Sequence, residues 1–300
     1  MDLPTTPAGN RFDRLDTKAV AAAAVAVLLW ASAFVAIRTA AKHFGPGELA
    51  LGRLVVGSVA LLAVWALRRE GLPRGGAWPG IVVSGLLWFG LYMVALNWGE
   101  QKVDAGTAAM VVNIGPLVIA LLGGLALKEG FPRGLLAGMA VSFAGAVVVG
   151  ISSSGSGHGS SVLGVLLCLL AALLYAGGVV AQKPALRHGT ALQVTAFGCL
   201  IGTLACLPFA PSLLHQVHRA PLSADLDLVY LGLFPTALAF GVWAYALSRS
   251  TAGRMGATTY AVPALVVLMS WAALGEVPGL LTLLGGCLCL GGVALSRRRS

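Results

Sequence analysis

Ten runs of about twenty mostly apolar residues, each long enough to cross roughly 30 Å of hydrocarbon as a helix, constrain this chain more than any other feature. They cover residues 19–37, 47–67, 77–98, 105–127, 134–151, 162–182, 190–210, 228–248, 255–275 and 279–296. In lipid every backbone N–H and C=O needs a partner within the protein, which leaves helices or a closed β-barrel. Barrel strands alternate over about ten residues; an unbroken run such as Ala19–Ile37 does not, so the helix is the solution. Charged residues are only 10% of the chain and hydrophobic ones 58%, against about 25% charged in a soluble domain. Such a chain cannot clothe a water-facing surface, and disorder, a coiled coil and a nucleic-acid-binding module are excluded with it. Cys168, Cys199, Cys206, Cys287 and Cys289 all fall inside apolar runs and read as small buried residues without disulfide or metal-ligand spacing. Ala31-Ser32-Ala33 resembles a secretory cleavage site, but cleavage there would halve the first span and leave nine, so an uncleaved first helix is expected.

The net charge of +9 lies between the apolar runs, where basic residues set orientation. With the N-terminus inside, 15 Lys and Arg fall on the cytoplasmic side, whereas Arg38, Lys42, Lys102 and Arg219 make 4 outside and Arg53 lies within a span. Both termini are therefore expected in the cytoplasm.

The chain also repeats itself. Trp98 to Pro116 reads WGEQKVDAGTAAMVVNIGP and Tyr245 to Pro263 reads YALSRSTAGRMGATTYAVP. At a constant offset of 147 the aromatic, the Ala-Gly pair (Ala105-Gly106, Ala252-Gly253) and the proline superimpose. Lys128-Glu129 falls on Gly275-Glu276, each Glu followed closely by a proline (Pro132, Pro278), and at an offset of 145 Trp30 falls on Tyr175. Each repeat holds five spans. An odd number makes the two halves cross in opposite senses, the inverted duplication of secondary transporters whose site lies near the midplane. The expected organisation is a cytoplasmic segment 1–18, a first repeat 19–151, a Gly/Ser linker 152–161, a second repeat 162–296 and a basic tail 297–300. The GSGHG of the linker lacks the preceding strand of a phosphate loop and reads as a flexible connection.

These residues resemble the EamA-type branch of the drug/metabolite transporter superfamily: Trp30 in span one, Arg53 early in span two, the A-G-x-A…P pattern of span four, the Glu before span five, and the echoes at Ala252-Gly253, Pro263 and Glu276. The resemblance covers residues 18–296. It implies ten helices and export of amino acids or related metabolites across a bacterial inner membrane, with exporters of aromatic and other neutral amino acids the nearest in character. Arg53 has only Phe197 as its rough counterpart, so any role it has is not symmetric.

Inside the spans Arg53 is the one clear charge, and intramembrane charges are functional hypotheses by default. Either it attracts a substrate carboxylate or organises the extracellular gate, or it snorkels outward or caps carbonyls at a helix junction. No span interior contains Asp, Glu, Lys or His, so movement down the substrate gradient without strong proton coupling is expected, or coupling through an end-of-helix group such as Glu100. Trp65, Trp78 and Trp98 suit the interfacial belt. Trp30, Trp88, Tyr92, Tyr175 and Trp243 fall deeper, where an indole N–H or phenol O–H needs a protein partner; they pack the interior or line a cavity suited to an apolar or aromatic side chain. Asn113, Gln182, Thr258, Thr259 or Tyr260 would meet a zwitterionic end. Pro116, softened by Gly115, and Pro263 each remove a mid-helix hydrogen bond and, being symmetric, read as hinges. Gly134, Gly138 and the pairs Gly285-Gly286 and Gly291-Gly292 permit close helix packing, read here as intramolecular, and a monomer is expected.

The expected protein is thus an all-α, ten-span exporter of small neutral metabolites, aromatic amino acids foremost, in which spans three, four, eight and nine move against the rest. It needs no metal or organic cofactor; its partners are a small-molecule substrate and the lipid bilayer. A drug, sugar or nucleotide carrier of the same fold is the alternative, although a nucleotide carrier calls for several cavity cations. An integral-membrane lipid-modifying enzyme would need clustered His, Asp or Glu at one face, and the five histidines scatter over loops on both sides.

Overall fold

A computed structural model describes residues 17–127, 134, 137–138, 140–145, 147–148, 162–276 and 278–296. The linker 152–161, the tail 297–300 and nearly all of the segment 1–18 lie outside them, as do Lys128, Glu129, Pro132 and much of the fifth run. Among the described residues every regular element is helical: α1 (Thr17–Ala40), α2 (Pro46–Leu67), α3 (Gly75–Glu100), α4 (Ala105–Ala126), α5 (Val162–Ala185), α6 (Ala191–Ala205), α7 (Leu207–Val217), α8 (Leu222–Ser248), α9 (Ala252–Thr258), α10 (Thr259–Leu274) and α11 (Leu280–Ser296). Six are long and apolar enough to cross a membrane outright, and α6 with α7 meets the same length and composition as a pair bent by 51°, the form of a broken span or a re-entrant loop. Pro208 in the first turn of the new segment accounts for that bend, and the seventh span runs on to Val217, beyond its expected end.

Polar punctuation sets the boundaries. Pro46 opens α2, where its missing N–H costs nothing. Asp104 caps α4 by accepting from Thr107 N at 2.8 Å and Thr107 Oγ1 at 2.5 Å, and Thr190 with Gln193 forms a capping box on α6. Gly275, at φ +68°, ends α10 in the left-handed region that glycine adopts without strain. The outward faces are apolar, with Val59, Leu67, Leu166, Leu173 and Leu268 exposed, while Trp88, Trp243 and Phe240 are buried. That surface belongs in lipid.

The two halves exchange roles. α1 packs on α8 as α5 packs on α3; α2 meets α8 as α6 meets α3; α1 meets α10 as α5 meets α4. Residues equivalent in the repeat bond to each other: Ser58 Oγ to Thr203 Oγ1 at 2.8 Å, and Ser142 Oγ to Cys289 O at 2.7 Å, answered by Cys289 Sγ to Ser142 O at 3.2 Å. Such self-paired contacts mark a two-fold relation. Near the end of α1, Thr39 Oγ1 donates to Asp227 Oδ2 near the start of α8 at 2.7 Å, and Ser32 bonds Tyr230 at 2.6 Å, so the two helices run antiparallel. Arg38 Nη1 donates to Glu100 O at the end of α3, 2.7 Å away. Lys183 Nζ does the same for Leu247 O at the end of α8, at 2.7 Å, and also reaches Ser250 O. The first half therefore ends α1 and α3 on one face and the second ends α5 and α8 on the opposite one. The repeats are inverted.

One feature was invisible in the sequence. Gly85–Leu91 in α3 and Gly232–Leu238 in α8 are π-helical, seven residues each at the offset of 147. Both begin at a glycine against a neighbouring backbone: a Cβ on Gly232 would lie 2.5 Å from Val56 Cβ and 2.8 Å from Arg53 O, and one on Gly85 would lie 2.8 Å from Gly198 O. Widened turns of this kind are frequent at functional sites. Gly232→Val is expected to destabilise the bundle by about 1–3 kcal/mol through overpacking, whereas Gly241→Ala, with nothing within 4 Å, is expected to be neutral or better. Unfolding of the purified variants in mixed detergent measures both.

Candidate functional site

The π segments and the breaks in α4 and between α9 and α10 surround a cavity walled by Trp30, Phe34 and Ile37 of α1, Arg53 of α2, Trp88, Tyr92 and Leu96 of α3, Val112 and Asn113 of α4, Tyr175 of α5, Phe240 of α8 and Thr259 and Val262 of α10. It offers about 60 Å³ to water centres, room for only a few, so a substrate enters only if the walls part.

The breaks are symmetric but are not kinks in continuous helices. α4 stops after Val112 and resumes at Gly115; in the second half α9 ends at Thr258, a 3-10 turn follows, and the helix resumes at Val262. Pro116 and Pro263 sit in the first turn of the resumed segments, where no N–H bond is lost. The expectation of mid-helix prolines that free a carbonyl is corrected accordingly. Asn113 joins the breaks, its Nδ2 donating to Thr259 O at 2.8 Å. Its Oδ1 is buried without a partner among the described residues.

Arg53 is 2% exposed and does not snorkel. Its Nε donates to Thr236 Oγ1, in the π segment of α8, at 3.1 Å. Among the described residues no other hydrogen bond engages the guanidinium, and it lines the cavity. Thr236 carried no sequence signal beyond being a hydroxyl in an apolar run.

The aromatics form a layer. Trp30 lies 6.0 Å from Trp88, 5.3 Å from Phe240 and 4.8 Å from Trp243, and Trp88 lies 4.7 Å from Phe240 and 5.4 Å from Tyr175 between ring centres. Trp30 Nε1 donates to Pro235 O at 3.2 Å, a carbonyl in the π segment. Tyr92 stands 6.1 Å from Tyr175, whose hydroxyl lies against Thr259 without a well-formed hydrogen bond. Trp243 is buried behind Trp30, and Tyr260 packs beside Leu117; neither is part of the cavity wall. Gln182 is also buried away from it, with both amide atoms unpartnered among the described residues, and Thr258 Oγ1 bonds Met255 O at 2.8 Å. Gly115 has a steric reason to be glycine, because a Cβ there would lie 2.5 Å from Tyr175 Cδ1.

The end of α3 adds a buried acid. α3 continues to Glu100, which is 0% exposed, with both carboxyl oxygens unpartnered among the described residues. That acid thus stands at the helix end that the sequence marks as the alternative route for coupling. Asp225 and Asp227 likewise lie inside α8, because that helix starts at Leu222 rather than 228. No group of three His, Cys, Asp or Glu among the described residues could hold a metal.

An inverted duplication around a walled cavity is the architecture of multi-pass membrane transporters. The profile of the EamA-like transporter family matches twice, at residues 17–151 and 162–298, and the chain belongs to that family. A probable terminal-alkyne amino-acid exporter of Streptantibioticus cattleyicolor is 37% identical over 284 residues, 95% of each chain. A probable amino-acid metabolite efflux pump of Escherichia coli is 26% identical, over 84% of this chain and 85% of its own. A solved crystal structure of a protein superimposes with a TM-score of 0.66 at 25% identity, covering 93% of this chain and 96% of the other.

Gly115→Ala is expected to displace Tyr175 and lower ligand affinity without loss of fold, while Gly256→Ala, whose Cβ would meet Pro116 and Ile119 at an ordinary 3.4 Å, leaves it unchanged. Binding titrations by tryptophan fluorescence would separate the two.

Proposed function

We propose that this protein exports small neutral amino acids, those with aromatic side chains above others, by alternating access across a bacterial inner membrane. Both termini lie in the cytoplasm and the protein works as a monomer. The 15-to-4 bias of basic residues supports that orientation and makes the Arg38 face external. The names of the two relatives support amino acids as the substrate class.

The observation that carries the reading is Arg53, held through Nε alone with the rest of its fork facing an otherwise nearly uncharged cavity. A planar guanidinium suits a carboxylate. Asn113 Oδ1 is an acceptor for the ammonium, and the faces of Trp30, Trp88 and Tyr92 suit both a cation and an apolar side chain. One cavity arginine is too little for a nucleotide-linked substrate, and a sugar offers nothing for it to pair with. α3, α4, α8 and the α9–α10 pair move against the remaining helices. The bonds from Trp30 to Pro235 O and from Arg53 to Thr236 cross that boundary at the π segment, so they are the contacts that shift as the cavity changes sides.

Counterflow of labelled phenylalanine in proteoliposomes tests this. Neutral amino acids should compete and sugars or nucleotides should not. Arg53→Gln should raise the half-saturation concentration about 10- to 100-fold, the worth of a charged hydrogen bond at 1.5–3 kcal/mol, and Arg53→Lys should restore only part. Unaltered kinetics in both variants would remove the arginine from the binding site.

A further inference from the structure

Glu100 lies just beyond the cavity on the Arg38 face. Leu96, one turn earlier in α3, lines the cavity, as does Ile37, the neighbour of Arg38. Arg38 is committed elsewhere: its Nε bonds Glu276 Oε1 at 2.7 Å and its Nη1 bonds the backbone oxygen of Glu100 at 2.7 Å. The guanidinium thus ties α1, the end of α3 and the end of α10 together while leaving the Glu100 carboxyl without a hydrogen bond among the described residues. The groups within electrostatic reach of that carboxyl are Arg38 on α1, Arg53 on α2, Tyr92 on its own helix, Cys168 on α5 and Glu276 beyond α10. Asp104, at the start of α4, is engaged by Thr107. Arg38 and Arg53 attract that carboxyl and Glu276 repels it, but among the described residues none of them hydrogen-bonds it.

We propose that Glu100 is a proton-binding site of the transport cycle, rested on the exporter reading above, and that the Arg38–Glu276 pair is the latch that controls it. An isolated carboxylate without water or hydrogen bonds is costly enough that the group stays neutral instead. With the latch closed, Glu100 holds its proton as an uncharged carboxylic acid. When the latch parts, water reaches the end of α3, the O–H bond breaks, the proton passes to that water and the electron pair stays on the carboxylate. Closing the same face requires the proton back. The Arg38–Glu276 pair is only partly buried, each side chain about a quarter exposed, so water reaches it from one side.

The experiment uses wild-type and Glu100→Gln full-length chains in proteoliposomes, with labelled phenylalanine as the probe. In the wild type a pH gradient of one unit should drive up to roughly tenfold accumulation, since one unit is a tenfold ratio of proton activity. Glu100→Gln should lose that accumulation and keep counterflow, which needs no net proton movement. Counterflow without accumulation in the wild type, or equal accumulation in the variant, overturns the proposal while leaving the exporter reading intact. Absence of any counterflow in the wild type defeats the amino-acid reading instead, and infrared difference spectroscopy then decides on Glu100 alone. A protonated-carboxyl band at neutral pH that Glu100→Gln removes supports the site; its absence from the wild type overturns it. Glu276→Gln provides a second variant: by releasing Arg38 to pair with Glu100 it should abolish the same band, a response that a purely structural role would not produce.

Discussion

Hydrocarbon offers no partner to a backbone N–H or C=O, and this structure is organised around the places where a helix leaves such a group open. An unpaired polar group costs several kcal/mol in lipid, so each interruption must be matched from another helix. Asn113 Nδ2 takes Thr259 O at the α9–α10 break; Trp30 Nε1 takes Pro235 O in the π segment of α8; Arg38 takes Glu100 O; Lys183 takes Leu247 O. Each pairing joins two different spans, and two of the four cross between the halves. The irregular backbone that makes a cavity possible is therefore the backbone that holds the halves in register. A change that disturbs one of these donors alters both packing and access.

Symmetry and asymmetry divide the labour. The frame obeys the repeat closely: the π segments coincide at an offset of 147, Ser58 meets Thr203, and the basic residue closing α1 has its equivalent closing α5. The chemistry does not obey it. Arg53 corresponds roughly to Phe197, Glu100 to Leu247 and Trp30 to Tyr175. A duplicated frame provides two related packings of similar energy, which rocking between two states requires. Distinct side chains at equivalent positions make the two states bind differently, and a ligand shifts a population only through such a difference.

The helices and the duplication were legible because both are written in patterns longer than any local error: twenty-residue apolar runs and a register kept over much of the chain. Arg53, Trp30, Trp88, Tyr92, Asn113 and Tyr175 were legible as cavity candidates because a charge, amide or polar-tipped aromatic in lipid must point inward. Glu100 is legible only as an end-of-helix acid; its burial comes from neighbouring helix ends that hydropathy does not see. The π segments left no trace because a widened turn changes hydrogen-bond partners, not composition. Thr236 escaped for a related reason: a lone hydroxyl bonding within its own helix and one anchoring an arginine 183 residues away look alike in sequence.

Trp243, Tyr260 and Gln182 show where a single conformation and a sequence pattern diverge. Their equivalents at offsets of 147 and 145 are Leu96, Asn113 and Ile37, and all three of those line the cavity. Most of the wall comes from the first half, with Tyr175, Phe240, Thr259 and Val262 representing the second. In a structure whose halves exchange roles, the residues set aside on one side are the counterparts of those in use on the other. Among the described residues the indole N–H of Trp243 and the amide of Gln182 have no hydrogen-bond partner, which is costly as pure packing, because an apolar side chain of similar size would fill the same space without an orphaned polar group. On the exporter reading proposed above, a state that exposes them to a polar guest would relieve that cost.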